Sequence, residues 1–261
     1  MLTFRSPDGI AIAARCDPGS PSIVFAHATG FCKEVWEPVI GHLPGYGVVA
    51  VDQRGHGGSG VGEPPFDWWD LARDLLVVLD EVDPEQPVGV GHSSGAASLL
   101  MAEMLRPGTF TALLLIEPIV FPPPYVRYEE LPLAVAAERR RASFATRDAA
   151  RDAYRGRGPF ARWEDDALDA YLDGGFEEKD GAWSLRCRPA IEAECYRAAT
   201  LHGAWDRLAE VRCQAVVVGG EHSDSHPAAF LEEQAGRLGG DARVEIVPGA
   251  THFVPMEEPA L

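Results

Sequence analysis

The 261-residue chain lacks any run of 18 apolar residues, so it has no segment able to cross a bilayer as a helix. Its start, from Met1 to Gly9, has neither the basic nor the long apolar region of a secretory signal. Cysteine is sparse: Cys16, Cys32, Cys187, Cys195 and Cys213 are odd in number, widely spaced and free of CxxC pairs. Reduced thiols in a cytoplasmic protein are therefore expected, with neither a disulfide framework nor a metal site. Basic residues are outnumbered, 23 Lys and Arg against 40 Asp and Glu, and the formal charge of −17 opposes binding to a phosphate backbone. HExxH, P-loop and GxGxxG fingerprints, internal repeats and low-complexity linkers are missing as well. What is present, 46% hydrophobic and 24% charged residues, suits one large folded domain or a core domain with an insertion.

Short β-rich runs occur at 2–5, 10–15, 22–26, 47–52, 87–91, 112–117, 214–219 and 243–247. Several, such as Val48 to Val51 and Leu113 to Ile116, are nearly continuously apolar, the pattern of parallel strands covered on both faces. Helical patterns lie between them. One spans 67–82, with Leu71, Leu75, Val78, Leu79 and Val82 on one stripe and Asp67 as N-cap; another spans 94–105. Strands alternating with helices predict an α/β sheet with right-handed crossovers, opened by an antiparallel hairpin around the Ser6 to Gly9 turn. From Pro122 to Trp205 the pattern changes. This stretch holds 13 basic and 15 acidic residues and reads as helices at 133–144, 147–155, 163–172 and 189–199, with a possible strand at 183–187. It is read as a helical cap (122–205) inserted into a core domain formed by 1–121 and 206–261. Arg139, Arg140 and Arg141 are assigned to a wet helix face.

The chemistry concentrates at loop positions. Gly91-His92-Ser93-Ser94-Gly95 follows a predicted strand and opens a predicted helix, the context in which G-x-S-x-G presents a nucleophile. A sharp turn there demands small neighbours, which Gly91 and Gly95 supply. Ser93 needs a base, and among eight histidines His252 directly follows the last predicted strand. His27, His56 and His92 are read as loop anchors. An acid must orient the imidazole. Asp224 is the first choice, at the end of the strand 214–219 and in the chain order nucleophile, acid, base. Glu117, ending the preceding strand, and Glu221 are its rivals. The oxyanion donors are expected to be the amides of Ser94 and of Thr29, in the loop from His27 to Phe31. His222 and His226 are four residues apart beside two acids, but a plain acid loop accounts for them without a metal.

Together these motifs resemble the α/β-hydrolase superfamily, in particular its capped, esterase-like members with a serine nucleophile. The resemblance rests on 27–31, on Asp52-Gln53-Arg54-Gly55-His56-Gly57-Gly58-Ser59, on 91–95, on 220–224 and on 249–252. It implies a mostly parallel eight-stranded sheet flanked by helices, with the second strand antiparallel and a cap roofing the site. Two departures stand out: His27-Ala28 replaces a common His-Gly, and Ser223 occupies the usual acid position. Relatives also tend to continue into a final helix, whereas this sequence stops nine residues after His252. The implied reaction is acyl transfer to water on a small ester-type substrate, needing no metal or organic cofactor. Phe31, Trp36, Phe121, Phe144, Trp163 and Phe253 are candidate pocket walls, favouring an apolar or aromatic group. Carbon–carbon bond hydrolysis, lactone opening and perhydrolysis could use the same triad. A small-molecule receptor on the same fold is the non-catalytic alternative. A nucleic-acid or membrane partner is not expected, and oligomeric state is not readable.

Overall fold

The computed structural model describes residues 1–261. The first half alternates strands and helices: β1 (Leu2–Arg5), β2 (Ala11–Cys16), β3 (Ile23–Ala26), α1 (Glu37–Gly41), β4 (Val48–Val51), α2 (Trp69–Val82), β5 (Val88–His92), α3 (Ser94–Leu105) and β6 (Ala112–Ile116). The chain then leaves the sheet for α4 (Pro132–Glu138), β7 (Ser143–Phe144), α5 (Arg147–Tyr154), α6 (Asp165–Gly175), β8 (Phe176–Lys179), β9 (Ala182–Leu185) and α7 (Pro189–Ala198). It returns with β10 (Gln214–Gly220), α8 (Ala228–Arg237), β11 (Ala242–Val247) and α9 (Val254–Glu257).

Eight strands form one sheet in the order β1-β2-β4-β3-β5-β6-β10-β11. β2 runs antiparallel to both β1 and β4, and every pairing from β4 to β11 is parallel. The β1–β2 turn is closed by Gly9 N–H donating to the Ser6 carbonyl at 2.8 Å. The apolar runs have the expected cause. Alternate residues face opposite sides of a strand. Accordingly Val49, Val51, Leu113 and Leu115 join one buried cluster with α2 and α3, while Val48, Ala50 and Ile116 join a second with Phe25 and Trp36. Burial on both faces leaves no place for polar alternation. No helix is long and apolar enough to cross a membrane.

Between β6 and β10 the structure holds more strand than the sequence reading, whose one strand at 183–187 corresponds to β9 (Ala182–Leu185). The helix expected over 133–144 ends at Glu138, and β7, β9 and β8 make a small antiparallel sheet. Rather than lining a wet helix face, Arg140 turns inward, donating to Glu192 Oε2 at 2.6 Å and to the Tyr171 hydroxyl. Arg139 and Arg141 stay exposed. This segment packs on the loops at the carboxyl ends of the parallel strands. Tyr171 and Leu172 share a core cluster with Phe31 and Trp36, and the Trp68 indole N–H donates to the Cys195 carbonyl at 3.1 Å. Glu192 lies against Gly30: a Cβ there would stand 2.6 Å from Glu192 Oε1.

Candidate active site

Ser93 sits between β5 and α3 with φ 57° and ψ −114°, a left-handed conformation that costs energy for any residue with a side chain. Its amide donates to the Ile116 carbonyl at 2.8 Å, which ties the turn to β6. The turn is possible because its neighbours are glycines. A Cβ on Gly91 would meet Ala96 backbone at 2.7 Å, and one on Gly95 would meet the Ala26 carbonyl oxygen at 2.1 Å. The strain lifts the serine clear of the strand, with the amino end of α3 directly behind it.

The loop from His27 to Phe31 is held by two buried histidines. His27 Nδ1 lies 2.8 Å from the Ala28 carbonyl, and its Nε2 accepts from Gln53 N–H at 3.0 Å. His56 Nδ1 lies 3.0 Å from the Arg54 carbonyl, and its Nε2 accepts from Gly30 N–H at 2.9 Å. A carbonyl can only accept, so each ring carries its proton on Nδ1 and is neutral. Asp52 adds the framework, accepting from Lys33 N–H at 2.7 Å, Lys33 Nζ at 2.9 Å and Gly58 N–H at 2.8 Å. Gln53, not singled out from sequence, bridges the two loops: its amide donates to the His27 carbonyl at 2.7 Å and accepts from Ser94 Oγ at 3.2 Å. Thr29 is buried within this frame, and its N–H has no backbone or side-chain acceptor. Ser94 is fully buried at the first position of α3.

His252 precedes α9 and lies beside the serine turn. Its carbonyl is 2.9 Å from His92 Nε2, and the two rings are 4.8 Å apart. The acid facing it is Glu117, not Asp224. His252 Nδ1 is 2.5 Å from Glu117 Oε2, whereas Asp224 is exposed. Topology gives the reason. β6 lies between β5 and β10, so a residue ending β6 stands directly beside the Ser93 turn. In the β10 loop the inward place is filled by Ser223, which donates to Glu117 Oε2 at 2.7 Å; the next residue, Asp224, points outward. Glu221, also exposed, accepts from Gly249 N–H at 2.8 Å and stabilises the turn before the histidine.

Glu117 is fully buried and has φ 46°, a second strained residue at a strand end. Burial pushes its carboxyl up, but the hydrogen bond from His252, the charge of that ring and the Gly220 N–H hold it well below the usual carboxylate range. It is therefore ionised throughout the neutral range. His226, buried in the same loop, brings Nδ1 to 3.3 Å from Glu117 Oε2. Donor atoms of Glu117, His226 and His252 lie within 4.8 Å of one another, a spacing a cation could close. Such a cation would take His252 Nδ1 from its acid.

Of the aromatic residues expected to wall a pocket, three gather here. Phe31 contacts Trp163 at 5.0 Å and Phe253 at 6.1 Å, and Phe253 lies 5.2 Å from the His252 ring. Trp163 brings a buried indole N–H without a partner. The other three make different contacts. Trp36 packs on Phe25, Phe144 on Tyr154 and Phe176, and Phe121 on Phe230 and His226. Trp36 and Phe144 are interior packing residues, each at most 2% exposed. Periodicity could not separate core aromatics from pocket aromatics.

The buried histidines make folding acid-sensitive. Burial drives His27, His56 and His92 below their ordinary values, and His202 down to about 4. In the unfolded chain each titrates near 6.5. Below that pH the unfolded state binds more protons, so stability present at neutral pH is lost on acidification, for His202 between about 6.5 and about 4. Each such histidine contributes a slope of at most ~1.4 kcal/mol per pH unit. Urea midpoints should therefore drop between pH 7 and pH 5.5; equal midpoints at the two values contradict the assignment.

Known proteins share this fold. The model of the "Alpha/beta hydrolase family" matches residues 23–261. The 2-(acetamidomethylene)succinate hydrolase of Mesorhizobium japonicum is 27% identical over 97% of this chain and 88% of its own length. Among solved structures, E-2-(acetamidomethylene)succinate hydrolase superposes with a TM-score of 0.80 at 25% identity, covering 99% of this chain and 94% of that one. The peroxisomal alpha-beta-hydrolase Lpx1 of Saccharomyces cerevisiae gives 0.78 at 23% identity, over 98% of this chain and 80% of its own, a likeness of fold. With the matched region running from β3 through His252, the chain belongs to the alpha/beta hydrolase family.

Proposed function

We propose that this protein is a serine hydrolase that transfers an acyl group from a small carboxylic ester-type substrate to water. In this reading Ser93 is the nucleophile, His252 the base and Glu117 the acid. The Thr29 and Ser94 amides stabilise the oxyanion, and residues 122–205 are the cap over the site. The observation that carries it is the 2.5 Å pairing of His252 Nδ1 with a buried, ionised Glu117, beside a serine in strained backbone. With its Nδ1 proton directed to Glu117, the neutral ring has its lone pair on Nε2. Nε2 takes the Ser93 proton as Oγ attacks the carbonyl carbon, and Glu117 stabilises the resulting imidazolium. Collapse of the tetrahedral intermediate expels the leaving group, which takes the proton from Nε2. Water, deprotonated by the same ring, then releases the acid and restores Ser93.

Phe31, Trp163 and Phe253 supply apolar surface and one unpaired indole donor, which fits a compact substrate with an apolar body and a hydrogen-bond acceptor. A second reading, hydrolysis of an N-acyl bond, is favoured by the Mesorhizobium relative, whose name carries an acetamido group on a dicarboxylic acid. A fluorophosphonate probe should label Ser93 in the folded protein and be blocked by boiling. Short p-nitrophenyl esters, small lactones and N-acetyl enamides, each followed by product analysis, then separate the two readings. Folded protein that fails to take up the probe overturns the hydrolase reading in favour of a receptor.

A further inference from the structure

Glu117 faces two imidazoles. Its Oε2 lies 2.5 Å from His252 Nδ1 and 3.3 Å from His226 Nδ1, and the two rings are 5.9 Å apart and inclined by 21°. His226 is fully buried between β6 and α8, and its orientation is fixed. Its Nε2 is 3.2 Å from the Pro118 carbonyl, which can only accept, so Nε2 carries a proton. In the neutral ring Nδ1 is then a bare lone pair facing a carboxylate oxygen. That arrangement is tolerable because Ser225 Oγ, 3.0 Å away, can donate to it. With a second proton, Nδ1–H donates to Glu117 directly. The titratable groups facing His226 are Glu117, His252 and, across the site, His92; the other walls are the Phe121 and Phe230 rings.

One carboxylate supplies the charge to hold one imidazolium; two cations at this separation repel. We propose that His226 is a positioning residue for Glu117 that competes with His252 for its negative charge, so that the acid supports a single cation shared between the two rings. Neutral His226, capped by Ser225, leaves Glu117 free to support His252 during proton transfer. Protonated His226 withdraws that support. The pair therefore titrates as a unit, with steps belonging to both rings.

The inference rests on the triad reading, but its test does not need turnover. In the intact protein labelled with 15N-histidine, the His226 and His252 ring signals should share their inflections across the pH titration. In His226→Asn, whose amide can still donate to Glu117 but cannot titrate, the His252 ring signals should follow a single-site curve. Independent single-site curves for the two rings in the unaltered protein overturn the proposal, whether or not His226→Asn folds. Loss of probe labelling at Ser93 would instead count against the hydrolase reading and leave this result standing.

Discussion

Glu117→Gln is expected to lower kcat by about four orders of magnitude, the scale of losing the orienting acid from a serine triad. Asp224→Asn should leave it nearly unchanged. The difference follows from tautomer control. A glutamine amide can present N–H to His252 Nδ1, and the ring then moves its proton to Nε2. Nε2 becomes a donor and cannot take the proton from Ser93. The glutamine also lacks the charge needed to stabilise an imidazolium in a buried site. Asp224 is exposed and has no contact with the ring, so its amide changes neither. Steady-state rates for both variants with one substrate decide the matter; a collapse in Asp224→Asn beside a near-normal Glu117→Gln reverses the assignment.

Ser93→Ala should reduce turnover by roughly six orders of magnitude, the loss seen when a triad nucleophile is removed. Retained activity would show that another group attacks the substrate. Stability should barely change, because the backbone strain belongs to φ 57° and persists with any Cβ, while the turn's amide bond to Ile116 needs no side chain. Ser93→Gly removes the strained Cβ and should be the more stable of the two. Thermal melts of the three proteins, run beside the assays, separate lost chemistry from lost fold.

The sheet was legible because burial on both faces writes itself as unbroken apolar runs, and α3 (Ser94–Leu105) falls where the sequence pattern placed it. The positions of the Ser93 turn and the His252 loop were legible because each follows a strand that could be recognised alone. The carboxylate that faces His252 was not, since the answer depends on strand order. Residues 117 and 224 both follow strands, and only the position of β6 beside β5 puts the former next to the serine. Ser223 was visible at the usual acid position, yet its role as a donor to Glu117 required the partner to be known. Arg140 misled for a similar reason: three successive arginines look solvated until one finds Glu192 and two tyrosines inside. Pocket aromatics and core aromatics share one composition and differ only in what their rings touch.

The close approach of Glu192 to Gly30 bears on how such a protein could be re-tailored. The 122–205 segment and the loop from His27 to Phe31 meet at a residue with no side chain, beside the Glu192–Arg140 ion pair. Exchanging the 122–205 segment for one from another hydrolase would therefore bring a foreign surface onto the loop proposed to steady the reaction's negative charge. On the proposed roles, substrate range and catalytic power are joined there, and a swapped segment would need a matching residue 30 to keep both.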